Sequence, residues 1–189
     1  MRRIVLASQS PRRKQLLENM GVTFVVAPSE FEEYLDDTRS PEEVSIELGL
    51  GKARTVAERY PDAIVIGSDT IVTVHGHQLA KAESDEQACE MWRLLAGTEN
   101  TVTTSIVMVC KDSGAEFTSA ETSTVYMKPY DAEAIEAYLQ TGDYKDKAGA
   151  YSLQGASHLI DRYEGDPEAI LGFPTSIVAE MLDEFAQSE

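Results

Sequence analysis

The stretch Ile4-Val-Leu-Ala-Ser-Gln-Ser-Pro-Arg-Arg-Lys-Gln-Leu-Leu17 decides how this 189-residue chain begins to fold. Its apolar start, Ile4 to Ala7, predicts a buried strand, which the polar residues after it interrupt. Ser10 suits a helix N-cap and Pro11 suits the first helical position, so a helix should begin there and end at Gly21. The stretch therefore predicts a strand–turn–helix unit with the positive end of the helix dipole at the turn.

Three cations, Arg12, Arg13 and Lys14, lie in the first turn of this predicted helix, where the dipole disfavours positive charge. A bound anion would offset that cost, and phosphate best fits backbone N–H groups combined with arginine side chains. The alternative is a capped surface helix whose arginines are solvated. The local pattern leaves both interpretations open.

The composition limits the classes of partner. Sixteen basic and 33 acidic side chains give a formal net charge of −17, which argues against nucleic acid or an anionic membrane as the main partner. A small polyphosphate stays compatible with this charge, because a local basic pocket can hold one on an acidic body. The length suffices for one well-buried domain over residues 1–189, with room for two lobes around a cleft.

Several features indicate the compartment. Cys89 and Cys110 predict free thiols in a reducing environment rather than a disulfide. The residues before Ser8 include too few apolar side chains for a signal peptide, and no apolar run approaches the length that spans a membrane. These observations predict a cytoplasmic protein.

Strand and helix signals alternate along the rest of the chain and predict an α/β fold, a long twisted mixed sheet flanked by helices. The predicted strands are 4–7, 22–27, 63–67, 71–74, 101–110, 116–127 and 157–163. Further helices should begin after the N-caps Ser40, Ser84 and Asp131, and a last helix should span 174–185. The polar turns between these elements could share one cleft, but the sequence pattern alone does not bring them together.

Asp69 is the strongest candidate for an acid–base residue. It directly follows the apolar run 63–67, in Gly67-Ser-Asp-Thr70, where a carboxylate is costly unless it has a partner or a function. A carboxylate at the end of a buried strand can bind a metal or take a proton from water. The alternative is a turn aspartate that hydrogen-bonds its own backbone.

Lys52, Lys81 and Lys147 are further candidates, because a triphosphate needs several cations before a nucleophile can approach its negative charge. Glu33 lies in an acidic turn that could help hold a hydrated divalent cation, since magnesium needs only one or two carboxylates besides phosphate oxygens. Taken singly, each lysine also fits a solvated surface charge, and the acidic turn fits a solvated loop.

Other common chemistries lack their signatures. His75, His77 and His158 have no third ligand at zinc spacing. Neither a GxGxxG nor a GxxxxGK[ST] motif occurs, so dinucleotide-dependent oxidoreductases and P-loop NTPases lose their main support.

Taken together, several motifs resemble the Maf family of nucleoside triphosphate pyrophosphatases, historically linked to septum formation. They are Ala7-Ser-Gln-Ser-Pro-Arg-Arg13, Gly67-Ser-Asp-Thr70, Lys81 before a helix, Asp146-Lys-Ala-Gly-Ala-Tyr151 with Gln154-Gly155, and Gly172-Phe-Pro174. They follow the family's order across nearly the whole chain, which is far more specific than any single motif. The resemblance implies a Maf/ITP-pyrophosphatase-like fold with a central cleft.

The resemblance also implies a reaction, the hydrolysis of a nucleotide between its α and β phosphates to a monophosphate and pyrophosphate. By similarity, Asp69 would be the general base and Glu33 would help place a divalent metal, Mg²⁺ or Mn²⁺. The substrate would be held by Ser8, Arg12, Arg13, Lys52, Lys81 and Lys147. A homodimer is a further expectation that rests on the family alone.

Within the family, the Ser-Pro-Arg-Arg, Asp-Lys-Ala-Gly-Ala-Tyr and downstream Gln pattern resembles the branch that acts on dTTP and UTP. The branch that acts on 7-methyl-GTP tends instead to have tryptophan after the Ser-Pro and no Asp-Lys. Gln154 is our candidate for base recognition, because its amide can present a donor and an acceptor to a pyrimidine edge. The chain departs from the family's pattern at Ala80, Ala82, Thr98 to Asn100, and Ser152.

Two rival functions remain. The chain could be a nucleotide-binding regulator of cell division that does not hydrolyse its ligand, although binding alone would not need Asp69 as a base. It could also be a phosphatase in which Asp69 is the nucleophile and forms an aspartyl-phosphate. That second reaction would release orthophosphate rather than pyrophosphate.

Overall fold

The computed structural model describes residues 2–187, and within that range seven strands form one mixed sheet. The strands are β1 Ile4–Leu6, β2 Phe24–Val26, β3 Ile64–Val74, β4 His77–Leu79, β5 Glu99–Cys110, β6 Ala115–Met127 and β7 Ile160–Glu164. The α-helices are α1 Pro11–Asn19, α2 Pro41–Ala57, α3 Asp85–Leu95, α4 Ala132–Gln140, α5 Pro167–Ile170 and α6 Thr175–Gln187. This architecture confirms the predicted α/β fold with a mixed sheet flanked by helices.

The sheet changes character along β3. Its strand order is β2-β1-β3-β5-β6-β7, with β4 paired to the far end of β3. Strand β1 runs parallel to β2 and β3, and its pairing with β3 ends where Leu6 lies opposite Ile66. Beyond that point β3 continues for another eight residues, of which Gly67 to Thr73 pair antiparallel with β5. A groove therefore opens beside the middle of β3, where β1 has left the sheet.

Helices cover both faces of the sheet. On one face α2 packs through Ala53 and Val56 against Val65 and Val107. On the other face Leu17 of α1 and Phe185 of α6 join a cluster with the strand residues Ile66 and Met108. A third cluster surrounds Trp92 of α3, whose indole N–H donates to the carbonyl of Ala150 at 3.0 Å. This third cluster anchors the chain that follows α4.

Local signals placed most of the helix starts correctly. The side chain of Ser10 accepts a hydrogen bond from the Arg13 N–H at the start of α1, and Ser40 forms a capping box with Glu43 at the start of α2. Ser84 and Asp131 cap α3 and α4 in the same way. Each cap satisfies a backbone donor that the first helical turn leaves unpaired.

The predicted break around Asp69 was wrong. Residues 63–67 and 71–74 are parts of one continuous strand, so Asp69 lies within β3 and does not follow a strand end. The sequence Gly67-Ser-Asp-Thr70 is typical of a turn, but here Asp69 pairs with Ser105 of β5. The pairing with a long neighbouring strand outweighs the local preference of these residues.

Two smaller differences lie near the C-terminus. Residues 157–159 form a 3₁₀ turn, so the predicted strand begins at Ile160 instead. The short helix α5, capped by Asp166, was not predicted.

Cys89 and Cys110 are free thiols. None of the helices within residues 2–187 combines the length and the apolar character that crossing a membrane requires.

Candidate active site

A cleft of about 1310 Å³ opens beside the middle of β3. The turn after β1, the loop before α2, the strand β3, the loop after β4 and the segment after α4 all contribute to its walls. All the residues proposed from the sequence line it: Ser8, Arg12, Arg13, Glu33, Lys52, Asp69, Lys81, Lys147 and Gln154. The structure therefore brings together side chains that are up to 146 positions apart in the sequence.

The cleft concentrates positive charge on an acidic protein. Six of the chain's 16 basic side chains line it, with five acidic ones, whereas the whole chain carries a net charge of −17. The basic residues are Arg12, Arg13, Lys52, Lys81, Lys145 and Lys147. Clefts of this kind focus an electrostatic field, so a small polyanion is attracted here more than elsewhere on the surface.

Lys52 joins two carboxylates in the centre of the cleft. Its Nζ lies 2.5 Å from Asp69 Oδ1 and 2.7 Å from Glu33 Oε1. The Lys52 side chain is 10% exposed and that of Asp69 8%, so water screens this ion pair far less than a surface pair. Lys81 Nζ completes the row, because it contacts both Glu33 oxygens at 3.0 and 2.8 Å.

The lysines determine the charge state of Glu33. Desolvation by burial raises the pKa of this carboxyl group, but the charges and hydrogen bonds of Lys52 and Lys81 outweigh it and lower the pKa to about 2. Glu33 is therefore ionised at every physiological pH.

Two contacts with α2 position the carboxylates. The Asp69 N–H donates to Ser105 Oγ at 3.3 Å, and Ser105 Oγ donates to the Ser45 carbonyl at 2.6 Å, which ties β3, β5 and α2 together. The ring of Phe31, two residues before Glu33, lies where a side chain on Gly51 would be, since a Cβ there would come within 2.4 Å of it. The absence of that side chain lets the loop that carries Glu33 pack against α2.

The two neighbouring arginines have different surroundings. Arg13 donates through Nε to the Gly172 carbonyl at 2.9 Å, and through its terminal nitrogens to the Ser68 carbonyl and Thr70 Oγ1, both at 3.0 Å. Arg12 makes one long hydrogen bond, 3.4 Å from Nε to the Leu171 carbonyl. Desolvation by burial lowers the pKa of both guanidinium groups. Arg13 is thus held by the protein, whereas most of the donors of Arg12 are available to a ligand.

The turn after β1 is partly satisfied by its own side chains. Ser8 Oγ accepts from the Ser10 N–H at 3.1 Å and from Arg13 at 3.5 Å, which leaves the Ser8 hydroxyl hydrogen free to donate. Ser10 Oγ accepts from the Arg13 N–H at 3.4 Å. One of the backbone donors that the sequence predicted for an anion is therefore already used by the N-cap.

Lys147 and Gln154 lie on the segment after α4. Lys147 Nζ donates to the Asp143 carbonyl and lies 3.4 Å from Asp143 Oδ1, and its side chain is only 12% exposed. Gln154 is exposed at the cleft, and its side chain makes no hydrogen bond within residues 2–187. Lys81 is bridged to this segment through its backbone pairing with Ala148.

Thr70 and Asp143 are among the lining residues that sequence reasoning did not propose, and both interact with the arginines of the cleft. Thr70 Oγ1 accepts from Arg13 and shares a 2.9 Å hydrogen bond with Thr104 Oγ1. Asp143, at the start of the polar segment after α4, interacts electrostatically with Arg12. The position of Thr70 beside Asp69 was a usable signal, whereas nothing local distinguishes Asp143 from other loop carboxylates.

The carboxylates fit a divalent cation that arrives with a substrate. Within residues 2–187, no three His, Cys, Asp or Glu side chains form a group that could hold a metal ion unaided. Glu33 and Asp69 are nevertheless close enough to share Lys52 Nζ. Magnesium needs only one or two carboxylates when phosphate oxygens complete its shell, so Glu33 beside Asp69 could serve as the protein's ligand.

The fold and the cleft define an α/β protein with a basic cleft around a buried carboxylate. The sequence profile of the family described as Maf-like protein matches residues 3–185, and the chain belongs to this family. The match confirms the resemblance seen in the motifs.

Individual proteins agree over the full length. A Methanosarcina mazei protein named dTTP/UTP pyrophosphatase is 40% identical over 190 residues, covering 100% of this chain and 96% of that protein. A Symbiobacterium thermophilum protein of the same name is 41% identical over 186 residues, covering 98% and 95%. A solved structure, protein VC0702 from Vibrio cholerae, is 13% identical with a TM-score of 0.33 and covers 75% of this chain and 68% of that one.

Proposed function

We propose that this chain is a nucleoside triphosphate pyrophosphatase that cleaves dTTP and UTP into a nucleoside monophosphate and pyrophosphate. The observation that carries the proposal is the position of Asp69, a buried carboxylate in the cleft, 2.5 Å from a lysine and surrounded by cations suited to phosphate. The nucleotide preference is supported by the full-length relatives named dTTP/UTP pyrophosphatase.

In the proposed mechanism Asp69 is the general base. Lys52 engages its Oδ1, while Oδ2 has no hydrogen-bond partner in the part of the chain that the structure describes. This carboxylate takes a proton from water as the water oxygen bonds to the α-phosphorus. The bridging P–O bond between the α and β phosphates breaks, and pyrophosphate leaves with the bonding electrons. Lys52 stabilises the negative charge that develops beside it.

The remaining cleft residues bind the substrate in this proposal. Arg12 and Lys81 neutralise phosphate oxygens, Ser8 donates its hydroxyl hydrogen, and Lys147 adds charge from the segment after α4. Arg13 contributes its positive charge while its hydrogen bonds hold the site together. Gln154 reads the pyrimidine edge with its amide group.

Glu33 would help place the divalent cation, Mg²⁺ or Mn²⁺, together with phosphate oxygens of the substrate. When bound, such a cation would neutralise part of the negative charge of the phosphates. Because the pKa of Glu33 is lowered to about 2, this side chain is ionised for that role at neutral pH. The family resemblance further leads us to propose one domain over residues 1–189 and a cytoplasmic homodimer, for which sedimentation analysis is the test of assembly.

Product analysis tests the proposal. A panel of nucleoside triphosphates is incubated with the wild-type protein and with Asp69→Asn, in magnesium and in manganese. We expect monophosphate and pyrophosphate from dTTP and UTP, and loss of turnover in the variant with nucleotide binding retained. Asp112→Asn, in the exposed turn between β5 and β6, is the matched control and should remain active.

Other products would support the rival functions. Orthophosphate, with oxygen from labelled water passing through the carboxylate of Asp69, would indicate an aspartyl-phosphate phosphatase. Binding without turnover of any nucleotide by well-folded protein would indicate a regulator that only binds its ligand.

A further inference from the structure

The carboxylate of Asp143 is the centre of a hydrogen-bond network that the proposed chemistry does not use. Its Oδ2 accepts from Tyr138 OH at 2.9 Å and from Ser152 Oγ at 2.5 Å, and its Oδ1 lies 3.4 Å from Lys147 Nζ. Desolvation by burial raises the pKa of this carboxyl group, but these partners outweigh it and lower the pKa. The group is therefore held in place as an anion.

Ser152 extends this network to the backbone on both sides of Gln154. Its hydroxyl accepts from the Gly155 N–H at 2.9 Å, and its own N–H donates to Tyr138 OH at 3.2 Å. Gly155 completes the fit, because a Cβ on it would lie 2.2 Å from Asp143 Oδ2. The chain before and after Gln154 is thus fixed by groups that meet at Asp143.

The charge of Asp143 also acts on Arg12 of α1. Desolvation by burial lowers the pKa of Arg12, and the charge of Asp143 is the strongest influence that opposes this effect. Asp143 therefore interacts both with Arg12 on α1 and with the segment that carries Gln154.

We propose that Asp143 and Ser152 are positioning residues that hold Gln154 in the orientation that selects the nucleobase. This inference rests on the proposed function, because Gln154 can select a base only if the cleft binds nucleotides. The contact with substrate is made by Gln154, and Asp143 acts through Ser152 on the backbone around it. Within residues 2–187 the Ser152 hydroxyl of this network hydrogen-bonds to no phosphate-binding residue, so its loss should affect recognition of the base and leave recognition of the phosphates unchanged.

The test removes the hydroxyl with Ser152→Ala. We expect KM for UTP to rise about tenfold, as for the loss of about one well-placed hydrogen bond, with kcat within about twofold of wild type. The preference for UTP over CTP should fall by a similar factor. Ser157→Ala is the matched control, because this exposed serine is close in sequence and its hydroxyl makes no hydrogen bond in the described part of the chain.

Binding measurements separate the base from the phosphates. Calorimetry with an α,β-imido analogue of UTP and with inorganic tripolyphosphate should show about tenfold weaker binding of the analogue to Ser152→Ala and unchanged binding of tripolyphosphate. Hydrogen exchange should also show faster exchange of the Gly155 amide, because it loses its acceptor. Asp143→Asn should weaken binding of the UTP analogue and speed exchange of the Gly155 amide in the same way, and it should also change tripolyphosphate binding, because its Oδ1 lies 3.4 Å from Lys147 Nζ.

Several results would overturn the inference. An unchanged KM and UTP/CTP preference in Ser152→Ala would do so, and equal weakening of tripolyphosphate binding would show a general structural role instead. If the wild type binds the analogue without hydrolysing nucleotides, the proposed function fails. The calorimetry then decides by itself whether Asp143 and Ser152 position Gln154 for base recognition. If it binds neither ligand, both proposals fail.

Discussion

Gly67 of β3 approaches the backbone of Gly49 in α2 so closely that a Cβ on Gly67 would lie 2.4 Å from the Gly49 carbonyl oxygen. This close packing of helix on strand explains how Lys52 reaches Asp69. Lys52 lies one helical turn after Gly49, and Asp69 lies two residues after Gly67 on the same side of the strand. The position of the proposed base therefore depends on the absence of a side chain at position 67.

Gly67→Ala should separate α2 from β3. The backbone cannot yield as a flexible side chain can, so we expect a loss of about 1–3 kcal/mol in the free energy of unfolding. Turnover should fall at least about tenfold, since small displacements of reacting groups are costly. Urea unfolding and steady-state kinetics measure the two effects.

Gly114→Ala is the control for this variant. No atom lies within 4 Å of the added Cβ, but Gly114 has a φ of +69°, so the substitution costs stability far from the cleft, by about 1 kcal/mol. We expect turnover per folded molecule to stay at the wild-type level. Equal turnover in the Gly67 and Gly114 variants would contradict our account of the packing.

Arg13 and Arg12 should respond differently to replacement by lysine. Arg13 makes three hydrogen bonds of 2.9 to 3.0 Å to Gly172, Ser68 and Thr70, and an ammonium group cannot reproduce that planar set. We expect Arg13→Lys to lower the free energy of unfolding by about 2–3 kcal/mol.

Arg12→Lys should change stability by less than about 0.5 kcal/mol, because the side chain makes a single hydrogen bond of 3.4 Å. Its effect should be a raised KM for nucleotide, because two parallel hydrogen bonds to phosphate become one. The two variants are each other's control. Our interpretation fails if Arg12→Lys proves to be the more destabilising of the two in urea unfolding.

The local part of the fold was predictable from the sequence, because its signals act within a few residues. Ser10 and Ser40 cap their helices through contacts three positions away. The continuity of β3 was not predictable, since Gly67-Ser-Asp-Thr70 has the composition of a turn. The pairing of β3 with β5, which places Asp69 opposite Ser105 36 residues further on, keeps this segment extended.

The same distinction applies to the candidate site. Lys52 taken alone fits a solvated surface lysine, and its burial becomes evident only with Asp69 and Glu33 beside it. Arg12 and Arg13 are adjacent and chemically identical, so no local pattern separates them. Their different environments come from acceptors such as the Gly172 carbonyl, 159 positions after Arg13.

The lowered pKa of Glu33 predicts a dependence of stability on pH. Its pKa is about 2 in the folded protein and 4.5 ordinarily, so the folded state favours the ionised form. The resulting stability is fully present above the ordinary pKa and disappears as the pH falls through the folded pKa, between about pH 5 and pH 2. Because the side chain is 39% exposed, solvent screening reduces the effect to about 1 kcal/mol.

Urea unfolding of wild type and Glu33→Gln across this range is the measurement. The difference between them should be about 1 kcal/mol near neutral pH and should vanish towards pH 2. Glu32→Gln is the control, because Glu32 is exposed and makes no hydrogen bond or ion pair in residues 2–187. A constant difference at all pH values would show that Glu33 acts through packing rather than through its charge.

Gly51→Ala should weaken the use of metal without destabilising the fold. An added Cβ would lie 2.4 to 2.6 Å from ring atoms of Phe31, so the ring must move and with it the loop that carries Glu33. Alanine favours a helix over glycine by up to about 1 kcal/mol, so thermal stability should be maintained. We expect the magnesium concentration for half-maximal activity to rise several-fold.

Thr55→Ala is the control, one turn further along the exposed face of α2. It improves helix propensity without touching Phe31 and should leave that magnesium concentration unchanged. If both variants reach half-maximal activity at the same magnesium concentration, the position of the loop that carries Glu33 does not depend on its contact with α2.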